Sequence, residues 1–234
     1  MLTAMSMLLV LFAGDPSAEQ IADKHLEAIG GKKWREVKTL KVTGTYEAFS
    51  QSHPFTIYRQ TPNLYRFEHR MLQADIVRAF DGTSAWWVNP MWRQMEPGPI
   101  PEPQNRVTLR ESVLASPLMD WRSQGHTLTL LGKSDVEGED HYQLEIQFKD
   151  GGKEVWFINA ETFLKTLVQG ETYEYGRPMP LDEFYGEYQE VDGLMVPFYI
   201  EQEWHTRHRV FTLEKVEVNP TVDGSIFKMP AKKE

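Results

Sequence analysis

The chain has 234 residues, 41% of them hydrophobic and 12% aromatic, which supplies apolar surface for a sizeable core and excludes wholesale disorder. A formal charge of −9 argues against a nucleic-acid binder, because neutralising phosphates needs a clustered basic surface, and the basic stretches at residues 31–38 and 231–234 are short and mixed with acids. The absence of cysteine removes disulfides, thiol nucleophiles, Cys-based zinc sites and the lipidated cysteine that begins a mature lipoprotein.

Residues 1–18 read as a signal peptide. An apolar run at 5–13 is followed by Gly14, Asp15 and Pro16, and the small Ser17 and Ala18 suit a cleavage site, although the segment before the run carries no Lys or Arg. The run is too short to cross a bilayer, which takes roughly 20 apolar residues. The remainder, 19–234, is expected to be one domain, since β sandwiches and barrels reach this size as single units. Ser17 and Gln20 have capping-box spacing, Ile21, His25 and Ile29 recur every four residues, and Gly30-Gly31 follows where a helix should stop. A helix over 18–29 is predicted. Cleavage after Ala18 would remove its Ser17 cap.

From Val37 onward the period changes to two, with turn residues about every ten positions, as in a large antiparallel meander. Asp81-Gly82 separates strands at 76–80 and 84–89; Asp150-Gly151-Gly152 separates 142–148 and 154–158; Asp192-Gly193 separates 184–191 and 194–204. In the second hairpin Tyr142, Leu144, Ile146 and Phe148 alternate with polar residues, so one face is buried. The four prolines of residues 96–103 exclude a central strand and predict an exposed loop or an extended connector. Residues 104–119 carry the other helical spacing, with Pro117 as its breaker.

The chemistry-bearing motifs are sparse. The sequence has no Ser elbow flanked by glycines and no phosphate-binding glycine loop. His205 and His208, spaced by three, fall on opposite faces of a strand, and they and His53, His69, His126 and His141 are expected on the surface. Glu137, Glu139 and Asp140, and Glu187, Glu190 and Asp192, are read as solvated turn residues. No catalytic residue, metal site or cofactor is assigned. What remains is an aromatic surplus, which either fills the core or lines an apolar cavity on a curved sheet.

The order of small motifs carries a resemblance. Ile29-Gly30-Gly31, Leu40 to Gly44, Pro62 before Tyr65-Arg66, and Phe80-Asp81-Gly82 before Trp86 are followed by Gly138 before Tyr142 and Leu144. Trp156-Phe157-Ile158 before Glu161-Thr162, Val191-Asp192-Gly193-Leu194 with Val196-Pro197, and finally Asn219, Asp223, Phe227 and Pro230 complete the series. This order resembles the LolA-like family of outer-membrane lipoprotein-sorting proteins.

The resemblance implies a mainly β (α+β) fold: a large curved antiparallel sheet forming an open half-barrel, covered by one or two helices. It also implies a non-enzymatic periplasmic carrier or chaperone whose cavity holds lipid or lipoprotein acyl chains, with a membrane receptor protein as a further partner. The alternative on the same fold is an envelope sensor that reads a lipid or peptide and signals to a protein partner. No cargo-contacting residue is carried over from the family. From strand alternation alone, the expected cavity lining is Tyr65, Phe67, Trp86, Val88, Leu144, Ile146, Phe148 and Phe157, and the helix at 104–119 is the expected lid.

Overall fold

The computed structural model describes residues 15–71, 73–174 and 176–231. The first fourteen residues of the expected signal peptide lie outside them. The capping box at Ser17 forms, with the Gln20 amide nitrogen donating to Ser17 Oγ and the Ser17 nitrogen to Gln20 Oε1, and opens helix α1 (Ala18–Ala28). The helix ends at Ile29, and Gly30 follows at φ 122°; a Cβ there would lie 2.7 Å from the Gly193 carbonyl oxygen. Glycine thus lets the end of α1 sit against a strand hairpin, where the Met195 nitrogen donates to the Ile29 carbonyl.

Thirteen strands follow: β1 (Thr39–Ala48), β2 (Gln51–Gln60), β3 (Leu64–Met71), β4 (Ala74–Phe80), β5 (Ala85–Asn89), β6 (Gln94–Pro99), β7 (Thr127–Val136), β8 (Glu139–Gln147), β9 (Lys153–Asn159), β10 (Lys165–Glu174), β11 (Arg177–Val191), β12 (Leu194–Trp204) and β13 (Arg207–Val218). All three expected hairpins form, across Asp81-Gly82, Asp150-Gly151-Gly152 and Asp192-Gly193. The strands make one antiparallel sheet in the order β6-β5-β4-β3-β2-β1-β13-β12-β11-β10-β9-β8-β7. The chain therefore starts in the middle, runs out to one edge, crosses to the other, and returns to pair β13 with β1. A bulge at Thr43/Gly44 falls in that central pair, where a Cβ on Gly44 would meet the Thr212 carbonyl oxygen at 2.1 Å.

The crossing segment holds a second helix, α2 (Asn105–Glu111), and shows how strongly the sheet curves. Glu111 bonds to Tyr65 and Arg78 on β3 and β4, while its neighbour Arg110 reaches Asp150 at 2.6 Å and Glu154 at 3.9 Å beside β9. Strands β4 and β9 are eight steps apart in the sheet. A flat sheet would separate them by roughly 38 Å, at about 4.8 Å per step. Adjacent side chains of one short helix touch both, so the sheet curls around α2. Its edge strands β6 and β7 do not pair, which leaves the half-barrel open.

Several sequence expectations are corrected here. Helix α2 stops at Glu111, well short of 119; Ser112 caps it, and residues 114–119 continue as turns whose Leu114, Leu118 and Met119 pack into the concave face. The first part of the proline stretch is not a loop: residues 96–99 belong to β6, an edge strand, where a missing N–H costs no ladder bond. His53 and His141 are buried, not surface residues. Glu139, Asp140, Glu187 and Glu190 lie within strands, whereas Glu137 and Asp192 do occupy turns, with positive φ.

Candidate functional site

Strand register settles which side chains share the concave face. Tyr65 and Phe67 stand in register with Arg59 and Ile57, these with Leu40 and Val42, and so on through Tyr46, Phe211, Ile200 and Tyr185 to Val168, Trp156 and Leu144. Ile21, Ala22 and Leu118 pack on that face beside Leu144 and Ile146, so it is the one covered by α1 and the crossing segment. Of the eight residues drawn from alternation, Tyr65, Phe67, Leu144, Ile146 and Phe148 belong to it. Trp86, Val88 and Phe157 point to the convex side. Trp86 is covered there by the C-terminal turn, its Nε1 donating to the Phe227 carbonyl at 2.7 Å. Within one strand the alternation was right; what it could not supply was the common face of strands far apart in sequence.

The concave face is not uniform. Under α1 it is dry: Ile21, Ala22, Leu118, Leu144, Ile146 and Ile158 are fully buried. His25 is enclosed with them, its Nδ1 2.8 Å from the Phe163 carbonyl and its ring edge-on to Trp156, and burial lowers its pKa to about 4.

Beyond α2 the wall changes character. Ile57, Phe67, Ile200 and Phe211 are only half-buried, and Phe67, Phe211, Phe55, Tyr46 and His69 form a contiguous ring cluster with centroid separations of 4.9 to 6.2 Å. Charged groups line the same wall. Tyr65 donates to Glu111 at 2.6 Å, Arg78 pairs with Glu111, and Arg59 Nε donates to the Glu111 carbonyl at 2.8 Å. Arg78 and Glu111 nevertheless keep about a quarter of their side-chain surface open, at 26% and 28%. Further along, Tyr185 donates to Glu183 at 2.6 Å, and the Lys165 ammonium sits 3.6 Å from the centre of the Tyr185 ring. Burial pushes Glu183 up and holds Lys165 down to about 8, although neither is sealed from solvent. Groups crowded by protein yet still accessible are what the wall of an open cleft presents.

Arg209 is a partly buried member of the same wall. Its guanidinium stacks 4.3 Å from the Trp204 ring and 5.7 Å from Tyr46. Burial lowers its pKa, opposed by Tyr46 and reinforced by Arg78 and Arg207. Arg207 and Arg209 are alternate residues of β13, but Arg78 comes from β4, far away in the chain, so nothing in the sequence indicated that the three share one place; the available signal was an Arg at an inward position of an alternating strand.

Two other places bring polar groups together at the surface. A groove of about 870 Å³ runs between α1 and residues 118–123, lined by Leu26, Leu118 and Trp121 together with charged side chains such as Asp23, Glu27, Lys32 and Arg35. It marks the seam between the two pieces of the cover. On the convex side Glu201, Glu203 and His208 bring ligand-type atoms within 4.8 Å of one another, but they are solvent-facing and His208 is already bonded to Glu201 at 2.6 Å. Among the described residues no helix is long and apolar enough to cross a membrane.

Solved structures share this open antiparallel half-barrel with helices laid in its concavity. A LolA superfamily protein from Nitrosomonas europaea superposes with a TM-score of 0.62 at 15% identity, covering 92% of this chain and 98% of that one. A DUF1329 family protein from Desulfovibrio piger gives 0.61 at 12% identity, with 92% and 98% covered. A domain assigned as an outer membrane lipoprotein-sorting protein from Vibrio parahaemolyticus gives 0.61 at 10%, with 90% and 95% covered. The chain shares the fold of these three structures. No family model matches its sequence, and no curated protein does.

Proposed function

We propose that this protein is a non-enzymatic carrier of the bacterial envelope that shields acyl chains of a lipid or lipoprotein on its concave face. The observation that carries the reading is the half-buried wall of Ile57, Phe67, Ile200 and Phe211 facing the interior of an unclosed sheet. Apolar side chains left accessible on a concave surface gain about 25 cal/mol per Å² when an apolar ligand covers them, and each buried methylene of an acyl chain contributes about 0.8 kcal/mol. The fold shared with a Vibrio parahaemolyticus lipoprotein-sorting domain supports the same cargo class. The periplasm is the compartment this reading requires.

Helix α2 and the turns to Met119 act as the lid. They are held to the sheet by few polar ties, chiefly Glu111 and Arg110, while Leu114, Leu118 and Met119 supply replaceable apolar contacts. An acyl chain displacing those side chains exchanges one apolar neighbour for another, so opening costs little net burial. The lining of this cavity is proposed to be Tyr65 and Phe67 with Ile57, Ile200 and Phe211, and, once the cover lifts, Leu144, Ile146 and Phe148.

The test is native mass spectrometry of the protein purified from a bacterial envelope, followed by organic extraction and lipid identification. A co-purifying phospholipid or acylated peptide is expected. A protein that arrives empty and also fails to take up a fluorescent fatty acid would sink the carrier reading.

A further inference from the structure

The aromatic end of the concave face carries an excess of positive charge inside a protein of net charge −9. Three guanidiniums converge there. Arg78 is matched by Glu111, and Arg207 by Glu174 at 3.1 Å. Arg209 forms no salt bridge with any carboxylate among the described residues; its neighbours are the Tyr46 and Trp204 rings and, in reach of hydrogen bonding, the Tyr46 hydroxyl. A guanidinium withdrawn from water beside two like charges is costly unless an anion completes it.

Two further polar atoms stand on the same wall without partners. His69 Nδ1 and Trp204 Nε1 are buried with no hydrogen-bond partner. His69 packs against Tyr46 at 5.1 Å and Phe67 at 5.0 Å, and Trp204 lies under Arg209, so both belong to one cluster. The half-buried Phe67 and Phe211 continue directly from it, Phe211 stacking on Tyr46 at 4.9 Å. Cation, unpartnered polar atoms and apolar floor are thus contiguous.

We infer that Arg209, with Arg78 beside it, binds the anionic head of an amphiphile, a carboxylate or phosphate, whose alkyl chain runs along the Phe67–Phe211 wall. This rests on the carrier reading and names the cargo's charge. The guanidinium fork fits both head groups in two-pronged fashion, and the ring faces that hold it flat fix its direction.

The experiment is isothermal titration of the whole protein with dodecanoate, dodecyl phosphate, dodecan-1-ol and inorganic phosphate, repeated with Arg209→Gln. The anionic amphiphiles are expected to bind about tenfold or more tighter than the alcohol, as a charge-assisted hydrogen bond allows. In Arg209→Gln that ratio should fall to about twofold. If the alcohol binds as tightly as the acids, the head-group subsite is wrong while the apolar cavity stands. If none of the three chains binds, the carrier reading itself fails and takes the subsite with it. Inorganic phosphate binding as tightly as dodecyl phosphate would mean a free-anion site and overturns the amphiphile assignment. Should Arg209→Gln not fold, Arg209→Lys keeps the charge without the planar fork; it should lower the ratio several-fold, and an unchanged ratio in it overturns the proposal.

Discussion

The two ends of the concave face are built from the same sheet but by different rules. Under α1, Leu144, Ile146 and Ile158 meet Ile21, Ala22 and Leu118 with no solvent left between them. At the other end Phe67 and Phe211 remain half-open among Arg78, Arg207 and Arg209. The first arrangement maximises burial and gives stability. The second leaves apolar surface and a buried cation incompletely satisfied, a state that costs stability in the free protein and is relieved by a ligand. On the proposed carrier reading, the open end is where a ligand is first met, while the dry end supplies most of the stability of the empty protein.

The comparison breaks most readily at the dry end. Leu144→Ala removes a fully buried side chain beneath α1 and should destabilise by about 2–5 kcal/mol, read from urea unfolding. The matching change at the open end, Phe67→Ala, should cost only about 1–2 kcal/mol because half the contact is missing already, while weakening fatty-acid binding. Equal losses in the two variants would erase the distinction.

Acid acts next. Burial holds the His25 pKa down to about 4 in the folded protein against an ordinary value of 6.5, so the unfolded chain takes up the proton first. Stability is complete above about pH 6.5 and falls as pH drops toward 4, by roughly 3 kcal/mol at most from this residue. His69, also lowered to about 4 by burial and then by Arg209, adds a second loss over the same window. Unfolding curves from pH 7.5 to 4.5 should be visibly flatter for His25→Gln than for the wild type; an identical slope means that His25 is not a source of the acid sensitivity.

A smaller effect concerns the lid. Glu111→Gln weakens the pairing to Arg78 and Tyr65 and should cost about 1–3 kcal/mol while raising the rate of fatty-acid uptake in stopped-flow measurements. Slower or unchanged uptake argues that α2 does not gate the cavity. Smallest is Ser17→Ala, which removes the cap of α1 and should lower stability by about 1 kcal/mol, with a matching shift in thermal midpoint.

Much of this architecture was legible because it is local. The capping box at Ser17, the turns at Asp81-Gly82, Asp150-Gly151 and Asp192-Gly193, and the alternation of Tyr142 to Phe148 each depend on a few adjacent residues. Helix α2 was overextended because the spacing of Val107, Val113 and Leu114 reads as helical, although tertiary packing uses Leu114 to Met119 as turns draped over the sheet. His53 and His141 were placed outside because their neighbours in sequence are polar, yet burial is set by what lies across the sheet: His53 opposes Tyr46, and His141 opposes Asn159.

By itself the sequence determined the strands, their turns, the capped helix and the presence of a large apolar surplus, since backbone conformation follows from propensity and period over short windows. Only the tertiary structure decided which face is concave. It alone brought Arg78 of β4 beside Arg207 and Arg209 of β13, because register across strands distant in the chain is a property of the whole hydrogen-bond ladder. The same ladder sent Trp86, Val88 and Phe157 to the convex side and left Phe67 on the concave one.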